Sequence, residues 1–304
     1  MHHRLLTLHC LSPLHCGTGQ GVAGIDLPIQ RERHTGWPVI PGSTIKGVLR
    51  DAARQDIGGD ANLANADKRV IALFGPEPKA EINGELGLGA LSFGDGVLLA
   101  FPVRSLAGVF AWVTCPLALE RLGRLTVMAE VSPVPRAEKP KDDEIRGPSS
   151  LALDDAKTQA LLEDHALKRT DLPQGLLEAL KPLFPASAQP LLTDHLAIVS
   201  DDLFAWFARH ATQVEARIAL DPATKTVQDG ALFYQETVPP ESVFISLISA
   251  EDARHSKVQQ EPTSRAAAAL EEIRKICAKP RQFGGDATIG KGLCALALST
   301  GNGK

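Results

Sequence analysis

Between Gly36 and Arg50 the chain runs Gly-Trp-Pro-Val-Ile-Pro-Gly-Ser-Thr-Ile-Lys-Gly-Val-Leu-Arg, a Pro/Gly turn that passes directly into a helix start. Ser43 has the position and side chain of an N-cap, and free N–H groups at a helix N-terminus favour anions. Beyond it Ile45, Val48, Leu49 and Ala52 recur as an apolar stripe, while Lys46, Arg50 and Arg54 recur every four residues on another face. A helix over about 43–55 with one apolar side must be packed against a further layer. Its cationic side has two readings. Such spacing most often marks a solvated charged surface, and it also suits a row of contacts to a phosphate backbone.

The layer is a sheet. Arg4 to Leu11 alternates, with Leu6, Leu8 and Cys10 on one face. Residues 88–93, 97–103, 109–114, Ser242–Ser249 and Leu293–Leu298 also read as strands, and Thr263–Ala278 as a second packed helix. The order strand, helix, strands, strand, helix, strand predicts an α+β fold with a ferredoxin-like, RRM-like βαββαβ core. That core draws on residues 1–131 and 242–304 of a single domain, 1–304. Large insertions occupy about 132–241. Helical periodicity at 154–168 and 172–181 predicts a helical lobe within 150–215, with a further helix from Ser200. Residues 217–236 read as a β-hairpin turning at Asp221-Pro-Ala-Thr224.

The 304 residues carry a net charge of −4, which disfavours a generic nucleic-acid binder, but the charge is segregated. Arg31, Arg33, Lys46, Arg50 and Arg54 outnumber Glu32 and Asp51, and six Lys or Arg after residue 273 face only Asp286. The five cysteines show no Cys-x-x-Cys pair, so reduced buried thiols are expected in preference to a zinc site. Neither a signal peptide nor a membrane span is legible, and a cytoplasmic protein with no membrane partner is expected.

Further motifs follow in order: Asp26-Leu-Pro-Ile-Gln-Arg31, Leu73-Phe-Gly-Pro-Glu77, Gly89-Ala-Leu-Ser-Phe-Gly-Asp95, Phe101-Pro-Val-Arg-Ser105, Trp112-Val-Thr-Cys-Pro116 and Phe283-Gly-Gly-Asp-Ala-Thr-Ile-Gly-Lys-Gly292. With the 36–50 segment they resemble the RAMP superfamily of CRISPR-associated RNA-binding proteins. Within it they are similar to the repeated backbone subunit of the type III-B (Cmr) effector complex. The equivalent type III-A subunit shares the aspartate and the Pro-Gly-Ser helix start, whereas the 73–77 and 101–116 motifs favour III-B.

The resemblance implies crRNA and target RNA as partners, other copies of the chain in a helical filament, and other Cmr complex subunits. It implies a metal-dependent endoribonuclease using Mg or Mn. The hairpin at 217–236 is similar to the thumb that wedges into the guide–target duplex. A rival of another class is an RNA-binding scaffold without catalysis.

Asp26 is the expected catalytic residue, as base or as metal ligand, because internal attack in RNA needs the 2′-hydroxyl deprotonated and phosphate charge offset. On the residues alone, a loop aspartate bonding its own backbone is the commoner case. His15 stands just before the same loop as a second catalytic candidate. The expected RNA contacts are Ser43, Lys46, Arg50 and Arg54 on the helix, with Gly284, Gly285, Gly290, Lys291 and Gly292 in a glycine-rich loop. A plain hairpin turn is the alternative for that loop.

Overall fold

A computed structural model describes residues 1–301 apart from 20, 22–23, 58–66, 77–86, 229 and 256–257. Glu77 of the 73–77 motif therefore lies outside the described residues. The first strand, β1 (His2–Cys10), leads through the 11–38 segment and β2 (Val39–Ile40) into α1 (Gly42–Ile57) and α2 (Lys68–Phe74). Strands β3 (Leu91–Phe93), β4 (Gly96–Arg104) and β5 (Phe110–Thr114) follow, then α3 (Pro116–Met128).

Four strands carry the core. With β12 (Val243–Ala250) and β14 (Leu293–Leu298) the sheet runs β14-β1-β12-β4, every neighbour antiparallel, which is the ferredoxin-like order. The helix between β12 and β14 is α7 (Ala266–Ile276). The alternation in β1 sets its two faces. Leu6, Leu8 and Cys10 join one buried cluster with Ile45 and Leu49 of α1 and Ile273 of α7. Leu5 faces the opposite way and joins a second cluster with Trp112 of β5 and Leu119 and Leu122 of α3. β1 is therefore covered on both sides, as a central strand demands.

The excursion between β4 and β12 departs from the expected helical lobe. Residues 159–170 form a β-hairpin, β7 (Gln159–Leu162) with β8 (His165–Thr170), next to the short β6 (Glu144–Arg146). Ala160, Leu162 and Leu167 are buried on its inner side, a period of two hidden among Ala, Leu, Glu and Lys, which also read as helix formers. In 172–181 only α4 (Leu176–Leu180) forms, followed by a 3₁₀ turn at Lys181–Leu183 that contains Pro182. The remaining elements are α5 (Gln189–His195), β9 (Leu196–Ile198) and α6 (Asp201–His210), whose Ser200 accepts a bond from Leu203 N–H as the expected cap.

The expected 217–236 hairpin has its stem earlier in the chain: β10 (Gln213–Arg217) pairs with β11 (Phe233–Thr237). Between the two strands Leu220 bridges Val227, and Asp221 accepts bonds from the Ala223 and Thr224 N–H groups. The last strand to name, β13 (Arg281–Gln282), pairs with β14. Among the described residues no helix is long and apolar enough to cross a membrane.

Candidate functional site

β11 is paired with β10 on one edge, and the chain's first loops hang from the other. Leu27 pairs with Gln235, its N–H bonding the Tyr234 carbonyl while its own carbonyl accepts from Glu236. Next to it the Asp26 carboxylate accepts the Tyr234 N–H through Oδ2 at 2.7 Å, and the side chain is exposed. His15 is buried and bonds the Glu236 carbonyl at 2.7 Å through Nδ1. A carbonyl only accepts, so Nδ1 carries the proton and Nε2 of the neutral ring is left as acceptor. The anchors of Asp26 and His15 are two residues apart along one strand edge, about 7 Å at strand rise.

Glycines keep His15 reachable. A Cβ added at Gly17 would stand 2.6 Å from His15 Nε2, and one at Gly284 would stand 2.2 Å from the His15 carbonyl. Gly285 N–H bonds that carbonyl at 2.9 Å, so the C-terminal loop is tied to the segment bearing His15. Glu236 is buried and engaged. It holds Arg31, accepts Thr212 Oγ1 at 2.7 Å, and accepts Ile29 N–H at 3.1 Å. Tyr234, two residues before it, is exposed.

The glycine-rich loop differs from its expected form. Lys291 is 7 % exposed and its Nζ is paired with Glu215 of β10 at 2.5 Å, so its charge is answered within the protein and not held out to solvent. Gly284 (φ +72°) and Gly292 (φ +78°) sit against backbone that a side chain would strike, which gives them a conformational role. Gly290 (φ +79°) has open space where a Cβ would go, and at Gly285 the nearest neighbour is at 3.6 Å. Asp286 docks the loop on the hairpin: it accepts Gln235 Nε2 at 2.7 Å and Arg217 Nη1 at 3.2 Å.

On α1 the cap is not Ser43. The helix begins at Gly42, whose N–H goes to Asp95 Oδ1 at 2.7 Å, and the Pro41 carbonyl receives the Thr44 and Ile45 N–H groups. Ser43 is an exposed residue of the first turn. With Lys46 it lines a cavity of about 520 Å³ whose other walls include Phe74, Leu91 and Glu251. Partial desolvation of the Lys46 ammonium, and Arg50 one turn on, lower its pKa. Arg50 bonds the Gly75 carbonyl at 2.9 Å beyond the end of α2, and Arg54 pairs with Asp51 at 3.7 Å. Asp26, His15 and the C-terminal loop do not line this cavity, so the expected residues fall into two places: a β11 edge and an α1 cleft.

Asp95, Asp286, Glu215 and Arg217 were not singled out by sequence reasoning. Asp95 and Asp286 stood inside quoted motifs, whereas nothing local marks Glu215 as the partner of a lysine 76 positions away.

The sheet order defines a ferredoxin-like, RRM-like class of fold, and the chain belongs to the RAMP superfamily, whose model matches residues 7–295. It is 33% identical over 98% of its length to the "CRISPR system Cmr endoribonuclease Cmr4" of Pyrococcus furiosus, covering 97% of that protein. The crystal structure of oligomeric Cmr4 from the same organism superimposes with a TM-score of 0.73 at 28% identity, covering 98% of both chains. A chain of the type III-B Cmr-beta complex bound to cognate target RNA matches in fold, with a TM-score of 0.71 at 20% identity over 98% of this chain and 97% of that one.

Proposed function

We propose that this chain is the backbone subunit of a type III-B CRISPR effector complex, holding crRNA and cutting the target RNA paired with it. One observation above all supports the reading: Asp26 and His15 hang from one edge of β11 in a chain that aligns end to end with a Cmr endoribonuclease. Guide pairing supplies the sequence specificity, and the protein holds backbone and shape.

In this reading Asp26 takes the proton of the target's 2′-hydroxyl, and the 2′-oxygen attacks the adjacent phosphorus in line. The bond to the 5′-oxygen breaks, and His15 Nε2, protonated for the purpose, returns a proton to that leaving oxygen. The products are a 2′,3′-cyclic phosphate and a 5′-hydroxyl. No three His, Cys, Asp or Glu side chains gather into a metal cage among the described residues. A Mg or Mn ion would therefore be held by Asp26 together with the RNA phosphate and water, a ligand set that suits Mg. Bound there, it offsets charge on the phosphate.

Lys46 and Ser43 serve the guide phosphates. The segment between the hairpin strands carries exposed Ile218, Leu220, Val227 and Leu232, apolar side chains of the kind that wedge between bases. The oligomeric relative supports self-association, which in this reading stacks copies along the guide in a complex with other Cmr subunits.

The test is Asp26→Asn in a reconstituted complex with guide and target. Cleavage should be lost, target binding should stay within about twofold, and chelation of divalent ions should reproduce the loss in the unsubstituted complex. A target with a 2′-deoxy sugar at the scissile position should resist cutting. Full cleavage by the Asn variant would move catalysis away from Asp26 and overturn proton transfer to its carboxylate.

A further inference from the structure

The C-terminal loop and the hairpin stem are joined by two ion pairs of opposite polarity. Asp286 of the loop takes Arg217 of β10, while Lys291 of the loop takes Glu215 of the same strand. Glu215 and Arg217 are two residues apart, so their side chains share a face of the strand. Arg217 Nη1 also donates to Gln235 Oε1 at 2.7 Å, and Gln235 Nε2 donates to Asp286, closing a ring of three side chains. Gln235 is buried and lies between Tyr234, whose N–H holds Asp26, and Glu236, whose carbonyl holds His15.

We propose that Glu215, Arg217, Gln235, Asp286 and Lys291 form a positioning clamp that sets the β11 edge, and so Asp26 and His15, against the C-terminal loop. The inference rests on the reading of Asp26 as the cleaving residue. Its physical content is polarity. Sliding the hairpin by two residues brings Glu215 opposite Asp286, carboxylate against carboxylate, so the crossed charges admit one register and oppose its neighbour. The side chains of Glu215, Arg217 and Asp286 are a quarter to a third exposed. The Arg217–Asp286 pair, exposed to that degree on both sides, contributes little to global stability, whereas Lys291 of the other pair is buried. Geometry at the strand edge is what the clamp controls.

The experiment uses the whole complex assembled on guide RNA, with single-turnover cleavage of bound target and target affinity measured separately. Arg217→Asp and Asp286→Arg each should slow cleavage about tenfold or more while affinity stays within about twofold. Combining the two reversals should return the rate to within about threefold of the starting protein, because the pair is rebuilt with its sign exchanged. Asp286→Asn keeps a residue that tolerates the positive φ of this position and keeps the bond from Gln235, so it should slow cleavage less than the reversals. Full-rate cleavage by the single reversals, or a double variant no faster than either single, would overturn the clamp. Asp26→Asn runs alongside. If it is inert while the single reversals cut normally, only the clamp fails, and if it cuts normally, both readings fail.

Discussion

Gly290 and Gly292 have nearly the same backbone and very different surroundings, so alanine at each separates two costs that a glycine-rich loop usually confounds. Their φ values are +79° and +78°. At Gly290 an added Cβ meets nothing within 4 Å, whereas at Gly292 it falls 1.9 Å from the Phe283 carbonyl oxygen. Left-handed backbone costs an alanine about 1–2 kcal/mol. Reduced freedom of the unfolded chain returns about 0.4–1 kcal/mol. Gly290→Ala should therefore lose roughly 1 kcal/mol.

Gly292→Ala bears the same conformational cost and a contact far inside the 3.3 Å or so at which carbon and oxygen normally meet. The Phe283 N–H bonds the Gly292 carbonyl at 2.8 Å, so neither side can retreat without opening the β13–β14 junction. Overpacking of this kind adds about 1–3 kcal/mol, for a total near 3 kcal/mol or more. In thermal denaturation followed by circular dichroism, the expected fall in Tm is about 1.5 °C for Gly290→Ala and about 5 °C or more for Gly292→Ala. Equal losses for the two variants would refute the assignment of Gly292 to a steric role.

Lys46→Ala should weaken guide RNA binding and shallow its salt dependence by about 0.7–0.9 in the log–log slope, while Arg54→Ala, whose charge is matched by Asp51, should change the slope little. Asp95→Ala removes the acceptor at the start of α1 and should cost about 1 kcal/mol in chemical denaturation, and Ser43→Ala should cost almost nothing. Burial pushes the Cys16 and Cys277 thiols up to about 12, and all five cysteines are buried and free. At pH 8 the native protein should therefore react slowly with a thiol reagent and take up the full complement once denatured, and rapid labelling of native Cys16 would contradict its environment.

Where pattern and packing agree, the fold was legible. Leu6, Leu8 and Cys10 alternate and face α1, and the apolar residues of α1 bury as their spacing requires. Legibility failed where a local preference was overruled from a distance. Ser43 is a good cap by type, but the helix starts one residue earlier: Asp95, brought up by the turn between β3 and β4, takes the Gly42 N–H, and the Ile45 N–H that Ser43 would cap goes to the Pro41 carbonyl. Residues 159–170 contain helix formers, yet pairing of their two halves and burial of Ala160, Leu162 and Leu167 make a hairpin. Lys291 reads as a cation beside glycines, and only the folded hairpin shows Glu215 waiting for it. Asp26 and His15 were legible as candidates, but their common dependence on β11 was not, since a strand more than 200 residues away supplies both anchors.

The central position of β1 has a consequence for how the chain is made. Its partners are β12 and β14, with His9 opposite Val243 on one edge and Cys10 opposite Cys294 on the other. The earliest strand in the sequence is thus completed by the latest. At typical synthesis rates β1 waits about 10–50 s for its nearer strand partner, with its hydrogen-bonding edges open. Contacts of such long sequence separation fold slowly, because the loop-closure entropy comes due before any pairing rewards it. An N-terminal fragment ending before β12 has an apolar strand with both edges open, and it should aggregate and not fold in part.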